Sequence, residues 1–239
     1  MCKTVRRGYC ASDEKEFSNK SKDKLYKAGK DLNYLLSNGY NLKGASVFVG
    51  NHYLLSERQR LSLARGISAS EDVKLRKDKE IKENFKGRTV HIDRFNSIIT
   101  LETAFSNSLL LKSMDGTIRD LAGLRGTYKV IDKTLEALKV IKETFEDFKI
   151  GKAVFYLDAP VSNSGRLKEK IFEILGEADF EVEVQVINNV DSTLEKLDNV
   201  ISTDAIILNK CEGWINLNRY IMDERFKEYD FLDFEENIF

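Results

Sequence analysis

GRTVHIDRFNSIITLETAF, residues 87–105, decides the architecture. Thr89–Ile92 is a short β-branched, apolar run of the buried-strand type, and it ends at Asp93. From about Ile98 to Phe105 the chain turns into an apolar helix. A strand that runs directly into a helix opens a βαβ unit, and the alternation continues downstream. LLLK (109–112) reads as a second strand and IDKTLEALKVIKETFEDF (131–148) as a long amphipathic helix. AVFYLD (153–158) is a buried strand ending at Asp158, followed by a helix over GRLKEKIFEILGE. VEVQVI (182–187) is a strand and VDSTLEKL a short helix. The next strand reaches Ile201, and WINL (214–217) is a candidate last strand. The pattern predicts an α/β fold, a three-layer arrangement with helices on both faces of a mostly parallel sheet. The first strand is not followed by GxGxxG, and GxxxxGK[ST] does not occur, which argues against a dinucleotide fold and a P-loop ATPase.

Ahead of this domain the composition shifts. The first 20 residues mix charge with Ser and Asn and predict little firm order. Leu25, Ala28, Leu32, Leu35 and Leu36 then place an apolar stripe on a helix from Lys22, stopped by Asn38-Gly39. SVFVG (46–50) is β-prone. Ser56 and Gln59 have the spacing of a capping box, opening a helix that buries Leu61 and Leu63 or Ala64 and leaves Arg58, Arg60 and Arg65 on other faces. Residues 70–87 alternate Lys, Glu and Asp, a solvated helix or linker that marks a boundary. The expected organisation is a small basic helical module (1–86), an α/β domain (87–222) and an acidic, Phe-rich tail (223–239). Phe at that density predicts that the tail packs.

Composition limits the function classes. With 42% hydrophobic and 32% charged residues and a single Pro, the chain is an ordinary folded protein. It contains no apolar run long enough for a membrane span or a signal peptide, so a cytoplasmic location is expected. Cys2, Cys10 and Cys211 are too few and scattered for a disulfide framework, and with His52 and His91 they lack the spacing of a zinc site. The net charge of −1 hides an asymmetry: residues 1–70 carry 13 Lys/Arg against 6 Asp/Glu, and the rest carries the acidic excess. Such a chain can dock a polyanion at its basic end and hold a divalent metal at the other, or its halves can attract each other.

Ligands of open α/β sheets bind beyond the carboxyl ends of the strands. Asp93, with Asn96 three residues on, ends the first strand; Asp158 ends another; Asp204 follows Ser202 just past a third; Asp115 and Asp120 flank a Gly-containing loop. Carboxylates converging there need a compensating cation, and oxygen ligands suit Mg²⁺ or Mn²⁺. The bland alternative is that each Asp only caps the next helix. Ser162, Asn163 and Ser164 at a helix start, with Arg166 in its first turn, could hold a phosphate, as could Arg119, Arg125 and Lys129 around the glycines. His91 shares the strand face of Asp93 and is a candidate base or supporting residue. Nothing in the sequence brings Cys211 to His91 for thiol catalysis.

GYNLKGASVFVGNHYLLSERQRLSLARG resembles the DUF434 domain proteins, an uncharacterised prokaryotic family. IDRFNSIITLETA, DGTIRDLAGLRGTY, LDAPVSNSGRLK and STDAIIL resemble the C-terminal domain commonly attached to them, so the likeness spans about Tyr34 to Leu217. A more distant similarity is to PIN and NYN nuclease domains. It rests on Asp93 with Asn96, then Asp158, then Ser202-Thr203-Asp204. That similarity implies a divalent metal held by Asp93, Asp158 and Asp204, with Asn96 and Ser202 in support. The chain departs from the pattern in having Ala205 and Ile206 where a second acid is usual, and Arg94 where a small residue is common.

The leading expectation is metal-dependent hydrolysis of RNA phosphodiester bonds. Asp93, Asp158 and Asp204 would orient water, Arg119 and Arg166 would steady phosphate, and Arg58, Arg60 and Arg65 would supply RNA affinity. The alternatives are a non-catalytic RNA- or nucleotide-binding protein, and a protein–protein adaptor whose tail docks a partner or another subunit of a homo-oligomer.

Overall fold

A computed structural model describes residues 5–123, 128–159 and 164–238. The N-terminal part is helical: α1 (Asp13–Glu16), α2 (Asn19–Ser37), α3 (Leu42–His52), α4 (Glu57–Gly66) and α5 (Ser70–Asp78). The stripe of Leu25, Ala28 and Leu32 is buried along α2, and Gly39, at φ +84°, follows its end. The predicted β-prone run 46–50 lies instead inside α3. Asn41 caps that helix by accepting from the Gly44 amide at 2.8 Å, and Ala45 and Val49, four apart, face inward. Burial at helical spacing overrides the β-branched composition there. On α4 the Ser56–Gln59 capping box forms, Leu63 is buried, and Leu61 stays largely outside.

The charged stretch beyond Ser70 is a packed helix rather than a purely solvated one. Val73 and Arg76 of α5 are buried, and the Arg76 guanidinium donates to Asp115 at 2.7 Å, to Ser68 at 2.9 Å and to Asn209 at 2.6 Å. The N-terminal segment is also held, against expectation. Phe17 is buried, Arg58 pairs with Asp13, and Arg7 donates to the buried Glu102 at 2.7 Å.

Downstream come β1 (Thr89–Asp93), α6 (Arg94–Phe105), β2 (Leu110–Lys112), β3 (Ile118–Asp120), α7 (Asp132–Phe148), β4 (Lys152–Asp158) and α8 (Ser164–Leu175). Then follow β5 (Glu181–Ile187), α9 (Val190–Leu194), β6 (Val200–Ile201), α10 (Ala205–Lys210), α11 (Leu217–Arg225), β7 (Phe231–Asp233) and α12 (Glu235–Ile238). Four strands form one parallel sheet in the order β5-β4-β1-β6. One face, through Val90, Ile92, Ala153 and Phe155, packs on α6, α7 and α8. The other, through Val154, Tyr156 and Val200, packs on α9, α10 and Trp214. The fold is α/β.

Two expected strands find different places. LLLK is a strand, but β2 belongs to a second sheet, ordered β3-β2-β7, antiparallel to β3 and parallel to β7. WINL contributes only single bridges of Trp214 to Glu80 and Val200, and its last residue already starts α11. The Phe-rich tail does pack. Phe234 and Leu232 are fully buried, and with Leu111, Met114 and the helices α2–α5 they make a common apolar cluster.

Candidate functional site

The chain runs from β1 to β4 to β5 on one side of the sheet and then returns to lay β6 on the other side of β1. The strand order therefore reverses between β1 and β6, and a crevice opens there beyond the strands' carboxyl ends. Asp93, the last residue of β1, stands at that crevice, 4% exposed. The parallel register puts Ile92 beside Ile201, so Ser202 falls level with Asp93. The Ser202 hydroxyl donates to Asp93 Oδ2 at 2.8 Å and accepts from the Asp204 amide at 3.0 Å. Asn96, in the first turn of α6, donates to the same oxygen at 2.5 Å. Burial pushes the Asp93 carboxyl up to about 6. The hydrogen bonds from Ser202 and Asn96 oppose the shift, and the charges of Asp204 and Asp191 add to it.

Asp204 has a second task. Its Oδ1 accepts from the Ile206 amide at 2.7 Å and the Ile207 amide at 3.3 Å, capping α10. Asp158 sits two residues beyond Tyr156, the register partner of Asp93, so its carboxylate lies further out along the same sheet face. It borders a cavity of about 580 Å³ with Asn188, Asn189 and Asp191. Asp191, in the first turn of α9 after β5, is the acid that sequence reasoning missed. Burial, Asp204 and Asp158, in that order, push its carboxyl up. Its signal was present, since Asn188-Asn189-Val190-Asp191 is one more strand end followed by an acid. Four carboxylates thus sense one another at the ends of β1, β4, β5 and β6. Among the described residues, however, no three His, Cys, Asp or Glu side chains come close enough to hold one ion.

On the β1/β6 side the crevice continues into a cleft of about 270 Å³ against the N-terminal helices, lined by Arg65, Asn96, Arg119, Asp120, Thr203 and Asp204. It adjoins a second cavity of about 300 Å³ toward Tyr40, Asp72 and Arg76. Asp120 accepts from Thr100 at 2.9 Å and the Ala122 amide at 2.7 Å; burial pushes its carboxyl up, and Arg65 opposes this.

The arginines separate into distinct roles. Arg65 lines the cleft while donating to the Asp120 carbonyl at 2.5 Å. Arg119 is buried, its Nε on the Thr203 carbonyl at 2.8 Å, its Nη1 on the Arg65 carbonyl and its Nη2 on Asp115 at 2.8 Å. It joins β3, the end of β6 and α4. Arg58 is taken up by Asp13 and the Gly8 carbonyl, and Arg60 by the Leu55 carbonyl while it covers Gly50. Arg166 is exposed on α8, and Lys129 is exposed beyond the glycines. Arg125, Ser162 and Asn163 lie outside the described residues. His91 lies deeper on the Asp93 face, its Nδ1 3.0 Å from the Tyr156 hydroxyl, and burial pushes its pKa down.

Residues 24–79 match the family described as a protein of unknown function, DUF434, and residues 82–220 match a domain of unknown function, DUF5616. The chain belongs to the DUF5616 family and carries a DUF434 segment ahead of that domain. An uncharacterized protein of Methanocaldococcus jannaschii, MJ0935, is 37% identical over 186 residues, covering 77% of this chain and 88% of its own. No solved structure matches the chain. Among the described residues of this DUF434 protein, no helix is long and apolar enough to cross a membrane.

Proposed function

We propose that this DUF434 protein hydrolyses phosphodiester bonds of RNA at the β1/β6 crevice with a divalent cation, Mg²⁺ or Mn²⁺, and that its sheet is a three-layer, PIN/NYN-like one. The observation that carries the reading is Asp93, a buried carboxyl pushed up to about 6 by its surroundings, with the charges of Asp204 and Asp191 contributing at the point where the strand order reverses. Mutual repulsion among strand-end acids is the signature of a site that a cation would relieve. The donor set is all oxygen and fits a hard ion that keeps most of its waters; it does not fit a closed, dehydrated site, since no three described ligands converge.

Asp93, Asp204, Asp191 and Asp158 would hold such an ion, Asp93 directly and the others in part through water. When bound, it would polarise the phosphodiester and lower the pKa of a bound water. Ser202 and Asn96 orient Asp93 Oδ2, leaving Oδ1 to accept a proton from the attacking water. Arg65, which lines the cleft, would bind a phosphate oxygen, and Arg119 fixes the β6 end by holding the Thr203 carbonyl. The deciding experiment titrates Mn²⁺ and Mg²⁺ calorimetrically into the wild type and Asp93→Asn, with a structured-RNA cleavage assay alongside. Binding and cleavage should both be lost in the variant. Absence of metal binding even with RNA present sinks the reading.

The second reading is an RNA- or nucleotide-binding protein that does not cleave. It is favoured by the use of Asp204 Oδ1 as a helix cap, which withdraws one oxygen from any ion. Nucleotide binding that chelators leave unchanged, without cleavage, would select it.

A further inference from the structure

The arginines of α4 expected to bind RNA are largely engaged within the fold, yet the neighbouring helices α2 and α3 carry an unassigned surface. Tyr34 on α2, Tyr40 in the α2–α3 loop and Phe48 on α3 are 69%, 61% and 67% exposed. Apolar side chains exposed in a group, unlike ones scattered singly, mark an interaction surface. The helices α2 and α3 are neighbours, tied where the Tyr53 hydroxyl donates to Asp31 at 2.7 Å. Lys27, Lys30 and Lys43 stand on their outer faces, exposed and without an ion pair among the described residues. Asp31, next to Lys30 on α2, is already hydrogen-bonded to Tyr53.

Rings interleaved with unpaired lysines are what a single-stranded polynucleotide requires. Every base offers a face to stack, and the ammonium groups follow the phosphates. A duplex hides its base faces and offers only the lysine contacts. The surface is also continuous with the candidate site, because Tyr40 and Leu42 line the 300 Å³ cavity and Leu42 lines the adjoining cleft with Asn96 and Asp204.

We propose that the outer faces of α2 and α3, through Tyr34, Tyr40 and Phe48 with Lys27, Lys30 and Lys43, form a stacking platform that binds single-stranded RNA and leads it into the cleft. The choice of RNA rests on the hydrolytic reading above, whereas the platform itself is testable without cleavage.

The test is fluorescence anisotropy of labelled oligouridylate and oligoadenylate, of the matching deoxy-oligonucleotides and of the RNA duplex, with wild type, Tyr40→Ala/Phe48→Ala, Tyr40→Phe, Lys27→Ala/Lys30→Ala/Lys43→Ala and Asp93→Asn. Single strands should bind more tightly than the duplex. The double aromatic variant should bind at least roughly tenfold more weakly, and Tyr40→Phe should bind like wild type because it keeps the ring. The triple lysine variant should lower the steepness of the salt dependence by about 2 in log–log slope. In the Asp93→Asn background, where cleavage is lost, the aromatic and lysine substitutions should weaken binding by the same factors as in wild type, so a failure of catalysis and a failure of the platform read out separately. Deoxy strands bound as tightly as RNA would keep the platform and remove the choice of RNA. The platform is overturned if the wild type binds no oligonucleotide, if the double aromatic variant binds like wild type, or if the duplex competes equally. It is also overturned if sedimentation shows a dimer that Phe48→Ala dissociates, since the face would then be covered by a second copy.

Discussion

Asp93, buried at the crevice, is held above the usual carboxylate range chiefly by that burial. Its folded pKa of about 6 lies above its ordinary value of 3.8. The native state therefore binds the proton more tightly than the unfolded chain does, and stability falls as pH rises from about 3.8 to about 6. Ionised Asp93 then destabilises the fold by about 3 kcal/mol. Asp93→Asn keeps an oxygen for Ser202 and Asn96 and removes that charge. It should raise the melting temperature at about pH 8 and leave it unchanged at about pH 4. Thermal melts at the two pH values check this, and equal effects at both would show that ionisation of Asp93 is not the cause. Asp115 behaves oppositely. Burial pushes it up, but Arg119, Arg76 and Thr117 prevail and hold it at about 2. Its contribution is present above pH 3.8 and lost as pH falls through about 2. Asp115→Asn leaves two buried guanidinium groups facing one another and should cost about 3–5 kcal/mol in denaturant unfolding near neutral pH. A loss under about 1 kcal/mol would mean the arginines find another partner.

At the scale of elements, the sequence showed most of the sheet and less of its surroundings. β4 announced itself because a strand buried on both faces is a continuous apolar run, and β1 and β5 through alternating β-branched residues; Asp93, Asp158 and Asp204 were found because the ends of such strands can be located in the sequence. SVFVG misled because β-branched content suits a strand; what decides is Asn41 capping the backbone and Ala45 and Val49 meeting α2, neither visible in a five-residue window. β2 was legible as a strand but not in its sheet, since its parallel partner is Phe231–Asp233 near the far end of the chain. Arg76 read as part of a solvated run because its partners, Asp115 and Asn209, are remote in sequence. The same remoteness explains two glycines. A Cβ on Gly66 would lie 2.3 Å from Phe234, and one on Gly29 would lie 2.6 Å from Ile238. Gly66 has no positive φ, so the cost of a side chain is steric. Gly66→Ala should destabilise by about 1–3 kcal/mol, and Phe234→Ala by about 3–5 kcal/mol. In the double variant the clash disappears, so the two losses should sum to less than their separate values. A double-mutant cycle in urea checks the coupling, and full additivity would deny the contact.

For the whole molecule, part of the charge of the N-terminal helices is spent on pairs within the fold. Lys22 pairs with Asp230, Lys77 with Glu235, Arg65 with Asp120 and Arg76 with Asp115, each joining the basic N-terminal helices to later acidic segments. Such pairs set register more than they stabilise. Apolar burial holds these segments together more strongly: Leu232, Phe234 and Ile238 of the tail are buried among Leu25, Ala28, Leu63 and Ile67 of the helices and Leu111 and Met114 beside β2. The tail therefore closes a core contributed by three stretches distant in sequence, while the parallel sheet keeps its own clusters on its two faces. Removing residues 230–239 would uncover the first core and leave the second intact. Amides of α2–α5 should then exchange with solvent orders of magnitude faster, whereas those of β1, β4 and β5 retain protection. Hydrogen exchange read by mass spectrometry on the truncated chain makes the comparison, with wild type as reference. A uniform rise across both regions would mean a single cooperative unit. No change in α2–α5 would mean that those helices hold together without the tail, and that the β1/β6 cleft they wall off does not depend on it.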